Sequence, residues 1–112
     1  MTTKTNKAPP HLKAATRLWF EDVLANYELE PHHVRLLTLA AETWDEYQAA
    51  RDAVKKHGLT FSNRYGEVKT RPEVAIERDC RIAFARLVRE LNLDTQPAEE
   101  GSRPRPPALK YR

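Results

Sequence analysis

The sequence predicts a mainly α fold: three helices in an elongated unit, with a β-hairpin between the second and third. Three observations carry that prediction. Apolar residues recur with helical period over three stretches. Pro31 and Pro72 stand where a helix tolerates proline, at its first position. Between the last two stretches runs Gly58-Leu59-Thr60-Phe61-Ser62-Asn63-Arg64-Tyr65-Gly66-Glu67-Val68-Lys69-Thr70-Arg71, whose glycines and strand-forming residues read as a turn between two strands.

The first helix is expected from about Lys13 to Tyr27. Leu12, Thr16, Trp19, Phe20, Val23, Leu24 and Tyr27 fall on one side of it. Lys13 and Ala14 offer no side-chain acceptor, so its start is expected to fray. Glu28-Leu29-Glu30 connects to the second helix, which Pro31 opens and nothing breaks before Gly58. At ~1.5 Å per residue it would run roughly 40 Å, against a diameter of about 30 Å for a compact globule of the structured residues. Its stripe is Leu36, Leu37, Leu39, Ala40, Trp44, Tyr47, Ala50 and Val54, broad near the start and narrow later. The broad half can serve two neighbours and the narrow half one.

Gly58 suits a helix-stopping αL residue. Leu59, Phe61 and Val68 are expected on one face of a hairpin at about residues 59–71, turned around Asn63 to Gly66. The third helix is expected from Pro72 to about Asn92, burying Ile76, Cys80, Ala83, Phe84, Leu87 and Leu91 with Val88 at the margin. Asn92 is a plausible αL stop and Leu93 its apolar contact. The domain reading is a basic arm over 1–12, a helical core over 13–94, and a proline- and arginine-rich tail over 95–112; both ends read as flexible. So small a core is marginal alone, and oligomerisation is a common remedy.

The formal net charge of +3 is unevenly spread. The arm and the tail each carry +2, while residues 13–94 sum to −1. Basic ends on a near-neutral core suit either a polyanion or simple solubility. No apolar run approaches the ~20 residues that span a bilayer, and the start lacks the apolar centre of a signal peptide. Cys80 stands alone, which excludes intrachain disulfides and four-thiolate zinc sites. A reducing cytoplasm fits these features.

Chemistry is sparse. No phosphate-cradling glycine motif or paired zinc-binding histidine motif is present. Glu21–Asp22 and Asp45–Glu46 are adjacent on helices and do not face one another. His32 and His33 lack a third ligand at usable spacing, and Cys80 reads as a core thiol. No catalytic residue, metal or cofactor is therefore assigned. The contact residues are Arg64, Tyr65, Lys69 and Arg71 in the hairpin, with Arg103, Arg105, Lys110 and Arg112 in the tail, read as DNA-binding. On the outer face of the third helix, Arg78, Arg81, Ile82, Ala85 and Arg89 read as an oligomer interface, because an apolar residue amid arginines suits one. Glu77 with Arg81, and Arg86 with Glu90, are spaced to pair along that helix.

The order of these features resembles the small subunit of tailed-phage terminase, in the branch with two helices, a basic hairpin and a further helix. The likeness rests on Trp19, Tyr27-Glu28-Leu29-Glu30-Pro31, Leu36-Leu37, Ala49-Ala50-Arg51, Gly58-Leu59-Thr60 to Gly66, Pro72, Glu77-Arg78-Asp79-Cys80-Arg81 and Leu87-Val88-Arg89-Glu90-Leu91-Asn92-Leu93. It covers roughly residues 12–94. Asn92 stands where the family usually has glycine, and Lys69-Thr70-Arg71 is more basic than the pattern. The resemblance implies a non-enzymatic packaging component that forms a ring. It also implies binding to double-stranded DNA and regulation of a large subunit holding the ATPase and nuclease. Two other readings stay open at this point: a helix-turn-helix DNA-binding regulator, and a helical adaptor without nucleic-acid contact.

Overall fold

A computed structural model of the chain describes residues 7–93. The expected tail, with Arg103, Arg105, Lys110 and Arg112, lies outside the described residues, as do residues 1–6. Three helices and one hairpin follow in the expected order: α1 (Ala14–Asn26), α2 (Pro31–His57), β1 (Thr60–Ser62), β2 (Val68–Thr70) and α3 (Pro72–Glu90). The molecule extends 62 × 27 × 23 Å, an elongation set by the 27 residues of α2, about 40 Å long, together with the hairpin beyond its end.

α3 packs antiparallel along α2. The pairing can be read from three proximities: Glu46 lies beside Cys80, the Trp44 and Phe84 rings lie 5.1 Å apart, and Leu37 and Leu91 share one core. α1 covers only the early part of α2. There Ala8, Leu12, Phe20, Val23, Leu37, Ala41 and Leu91 form the core, with Trp19, Tyr27 and Leu93 against it. Beyond, α2 and α3 have only each other, and Ala50 and Cys80 close the seam. The broad and narrow halves of the α2 stripe thus meet two neighbours and one.

Each terminus has its own solution. Lys13 caps α1 with no side-chain bond. Instead Asp45, from α2, accepts the Lys13 N–H at 2.9 Å and the Thr16 hydroxyl at 2.5 Å. Arg17 donates to the Leu12 carbonyl at 2.6 Å, and the Ala8 N–H to Glu21 at 3.0 Å. Residues 7–12, part of the expected arm, are therefore seated on the helices, with Ala8 and Leu12 in the core. α2 opens with a capping box in which the Glu30 N–H donates to Nδ1 of His33 at 3.1 Å. α3 ends as expected. Asn92 has φ +61°, the Leu93 N–H reaches the Val88 carbonyl at 3.0 Å, and the Asn92 N–H reaches Arg89 at 2.9 Å. Those two bonds make a Schellman motif, with Leu93 packed on the core.

Several expectations are corrected. Gly58 has the positive φ foreseen, +91°, but ψ 178° puts it in an extended region that only glycine occupies comfortably, not αL. Leu39, Ile76 and Ala83 are exposed rather than buried, because no third helix covers the far side of the α2–α3 pair. Ala41 and His33 occupy the core-facing positions instead. No ion pair joins Glu77 to Arg81 or Arg86 to Glu90 among the described residues; Arg78 meets Asp79 at 3.5 Å. No helix among the described residues is long and apolar enough to cross a membrane.

Candidate nucleic-acid interface

The hairpin projects where α2 ends and α3 begins, and every residue of both strands is exposed. Thr60 pairs with Thr70, Phe61 with Lys69 and Ser62 with Val68. Directly opposed residues share a face, and Leu59 lies opposite Arg71, whose N–H donates to the Leu59 carbonyl at 2.9 Å. One face therefore carries Leu59, Phe61, Lys69 and Arg71, and the other Thr60, Ser62, Val68 and Thr70. The expected grouping of Val68 with Leu59 and Phe61 is overturned. A five-residue loop, 63–67, separates the strands, and its odd length sends Val68 to the opposite side.

Asn63 builds that loop. Its side-chain oxygen accepts the Tyr65 N–H at 2.8 Å and the Glu67 N–H at 3.0 Å, while its amide donates to the Glu67 carboxylate at 3.0 Å. Gly66, at φ +80°, lets the chain turn back. The result is a rigid tip bearing Arg64 and Tyr65. The Arg64 guanidinium lies 5.1 Å from the centre of the Tyr65 ring and donates to its hydroxyl at 3.1 Å. Tyr65 is 72% exposed, as its place at the turn foretold. Further down, the Arg71 guanidinium stacks over Phe61 at 5.8 Å. Lys69 sits 3.8 Å from Glu67, an exposed pair worth little.

Two further cations that the sequence reading passed over precede the hairpin: Lys55 and Lys56 are exposed in the last turn of α2. The adjacent lysines were visible in the sequence, but at a helix C-terminus they also complement the dipole. From residue 55 to 71 the charges are Lys55, Lys56, Arg64, Lys69 and Arg71 against Glu67 alone, a net +4. The rest of the described residues carry nine bases and twelve acids, a net −3. Cations are concentrated at one end.

The other assigned surface lies along α3. Arg78, Arg81, Ile82, Ala85 and Arg89 are all exposed. Beside them Leu39, Ile82, Ala83 and Leu87 line a groove of about 380 Å³ edged by Asp79, Arg86 and Glu90. The structure does not join this surface to the hairpin. The aromatic residues Trp19, Trp44 and Phe84 pack together across the three helices, with centroids 5.1 to 5.8 Å apart, around a cavity of about 310 Å³.

Titratable groups elsewhere are structural. Burial pushes the Cys80 thiol up, and the Glu46 carboxylate adds to the effect, so the sulfur keeps its proton. Burial, then the neighbouring His32, lowers the pKa of His33, which Glu30 raises in part. His33 is a neutral capping residue, with its ring 4.1 Å from His32.

Fold and site together define a small three-helix module that presents a cationic hairpin at one end. Residues 13–102 match the family model for the phage terminase small subunit, and the chain belongs to that family. Membership makes it a phage packaging component, as the resemblance over residues 12–94 implied. No curated protein and no solved structure matches it.

Proposed function

We propose that this protein is the non-catalytic DNA-recognition and regulatory component of a viral genome-packaging motor. In this reading it works in the host cytoplasm as a homo-oligomer beside a large subunit that supplies ATPase and nuclease. The observation that supports it is the segregation of charge: net +4 over residues 55–71 against −3 over the other described residues. Duplex DNA is the polyanion a packaging component meets.

Arg64, Lys69 and Arg71 donate to phosphates, the Tyr65 hydroxyl adds a further donor, and Lys55 and Lys56 extend the contact. One protomer neutralises few phosphates. Copies joined through the α3 surface of Arg78, Arg81, Ile82, Ala85 and Arg89 multiply them, with avidity set by geometry. Arg103, Arg105, Lys110 and Arg112 serve either as additional phosphate contacts or as a dock for the large subunit.

Gel shifts with unrelated duplexes at low and moderate salt test the reading. The expected result is sequence-independent binding whose log affinity falls steeply with log salt, by about 0.9 per phosphate contacted. Tight binding to one short site would favour the helix-turn-helix regulator. Burial of His33, Leu37, Ala40 and Ala41 along the start of α2 counts against that helix lying in a groove. No binding at any salt would leave the adaptor. For the oligomer, light scattering should return a mass above that of the monomer at tens of micromolar, since self-association follows mass action.

A further inference from the structure

We propose that the hairpin seats itself in a DNA groove through an apolar contact as well as through its charges, with Phe61 and Leu59 pressed against base edges and sugars between the cations Lys69 and Arg71. The inference rests on the DNA reading above and goes further than phosphate neutralisation. Its starting point is the register. With Val68 on the other side, the face that holds Lys69 and Arg71 also holds Leu59, 62% exposed, and Phe61, 38% exposed. Neither has a hydrophobic partner in the core.

The ribbon has the right dimensions. Two strands about 4.8 Å apart with their side chains fit a major groove about 12 Å wide, which admits a two-stranded ribbon. Phe61 is held for the task, since Arg71 stacks on one side of the ring and is itself fixed by its backbone bond to Leu59.

Other occupants suit the surface less well. A bilayer would meet the tip first, and the tip is Asn63, Arg64, Tyr65, Gly66 and Glu67, mostly polar. A second copy would have to receive two cations. Its exposed α2–α3 groove balances Arg86 against Asp79 and Glu90, which is only weakly complementary.

The test uses the full chain and a random duplex, with affinity measured across a salt series. Far-UV circular dichroism and the melting temperature check that each variant folds; Phe61 lies outside the core, so they should. Phe61→Ala should weaken binding about tenfold at every salt, the scale of losing one partly buried aromatic contact, and leave the salt slope unchanged. Phe61→Leu should recover most of the loss. Lys69→Ala should lower the slope by about one, so that its deficit shrinks as salt rises. Binding by Phe61→Ala within twofold of the wild type would overturn the inference while leaving the DNA reading intact. It would equally be overturned if Phe61→Ala dissolved an oligomer in light scattering, or abolished co-sedimentation with anionic vesicles. Absence of any DNA binding by the wild type would remove both.

Discussion

The two ends of this molecule solve opposite problems. Where α1 meets α2 and the end of α3, apolar side chains face inward from three directions, and Leu37 and Leu91 are fully buried. At the other end two three-residue strands stand in water with no third layer. An isolated two-stranded hairpin is marginal in water. This one is held instead by local polar bonds at Asn63 and by the helices that lead into and out of it. Net charge is positive over residues 55–71 and negative over the rest of the described residues.

That division can be broken by experiment. The largest effect should come from Leu37→Ala, which opens a cavity where all three helices meet. We expect a loss of about 3 kcal/mol in urea unfolding; a loss below about 1 kcal/mol would mean that the three-helix end is not the anchor. Asp45→Ala should cost about 1 kcal/mol, because it removes the acceptor for both the Lys13 N–H and the Thr16 hydroxyl. It should also speed amide exchange at Lys13, whose N–H Asp45 holds, more than at Ala8, whose N–H Glu21 holds.

Acid should act on the same end through His33. Its folded pKa lies below the ordinary histidine value, so the unfolded chain binds the proton more readily. Stability is therefore full above about pH 6.5 and declines as pH falls through that value toward the lower folded pKa. Protonation also turns the Nδ1 acceptor of the Glu30 N–H into a donor. Urea midpoints at pH 7.5 and 5.5 (chosen to bracket the histidine range) should differ in that direction, and His33→Gln should shrink the difference. If Gln leaves the pH dependence untouched, another group is responsible. The smallest effect should be Val68→Ala, within about 0.5 kcal/mol. A larger loss would show that the hairpin supports the body after all.

Most of the architecture was legible in the sequence, and the failures share a cause. Helical period identified three stripes and placed Asn92 and Leu93 correctly at a helix stop, since both signals are local. It could not say how many neighbours a stripe would meet. Leu39, Ile76 and Ala83 were counted as core on a side that nothing covers, while Ala41 and His33, apolar or polar by name, took the inner positions. The hairpin itself was clear from its glycines and strand formers, but its faces were not: one residue more or less in the loop decides whether Val68 joins Phe61 or opposes it. The Asp45 clamp was invisible for a different reason. It joins residues 29 and 32 positions apart, and no local rule points from Lys13 to it. Of the candidate site, Arg64, Tyr65, Lys69 and Arg71 were chosen for being basic or aromatic in the hairpin; Arg64 contacts Tyr65 at the tip, while Lys69 and Arg71 share one face of the ribbon. The apolar half of their surface needed the register.

Arg71 gives the hairpin a mechanical property. It is at once the residue opposite Leu59, the stacking partner of Phe61 and the N-cap position of α3. On the other side two residues, Gly58 and Leu59, divide α2 from β1. With two residues in one connection and one in the other, a force applied to the ribbon would pass into the two longest helices and not be absorbed by a loop.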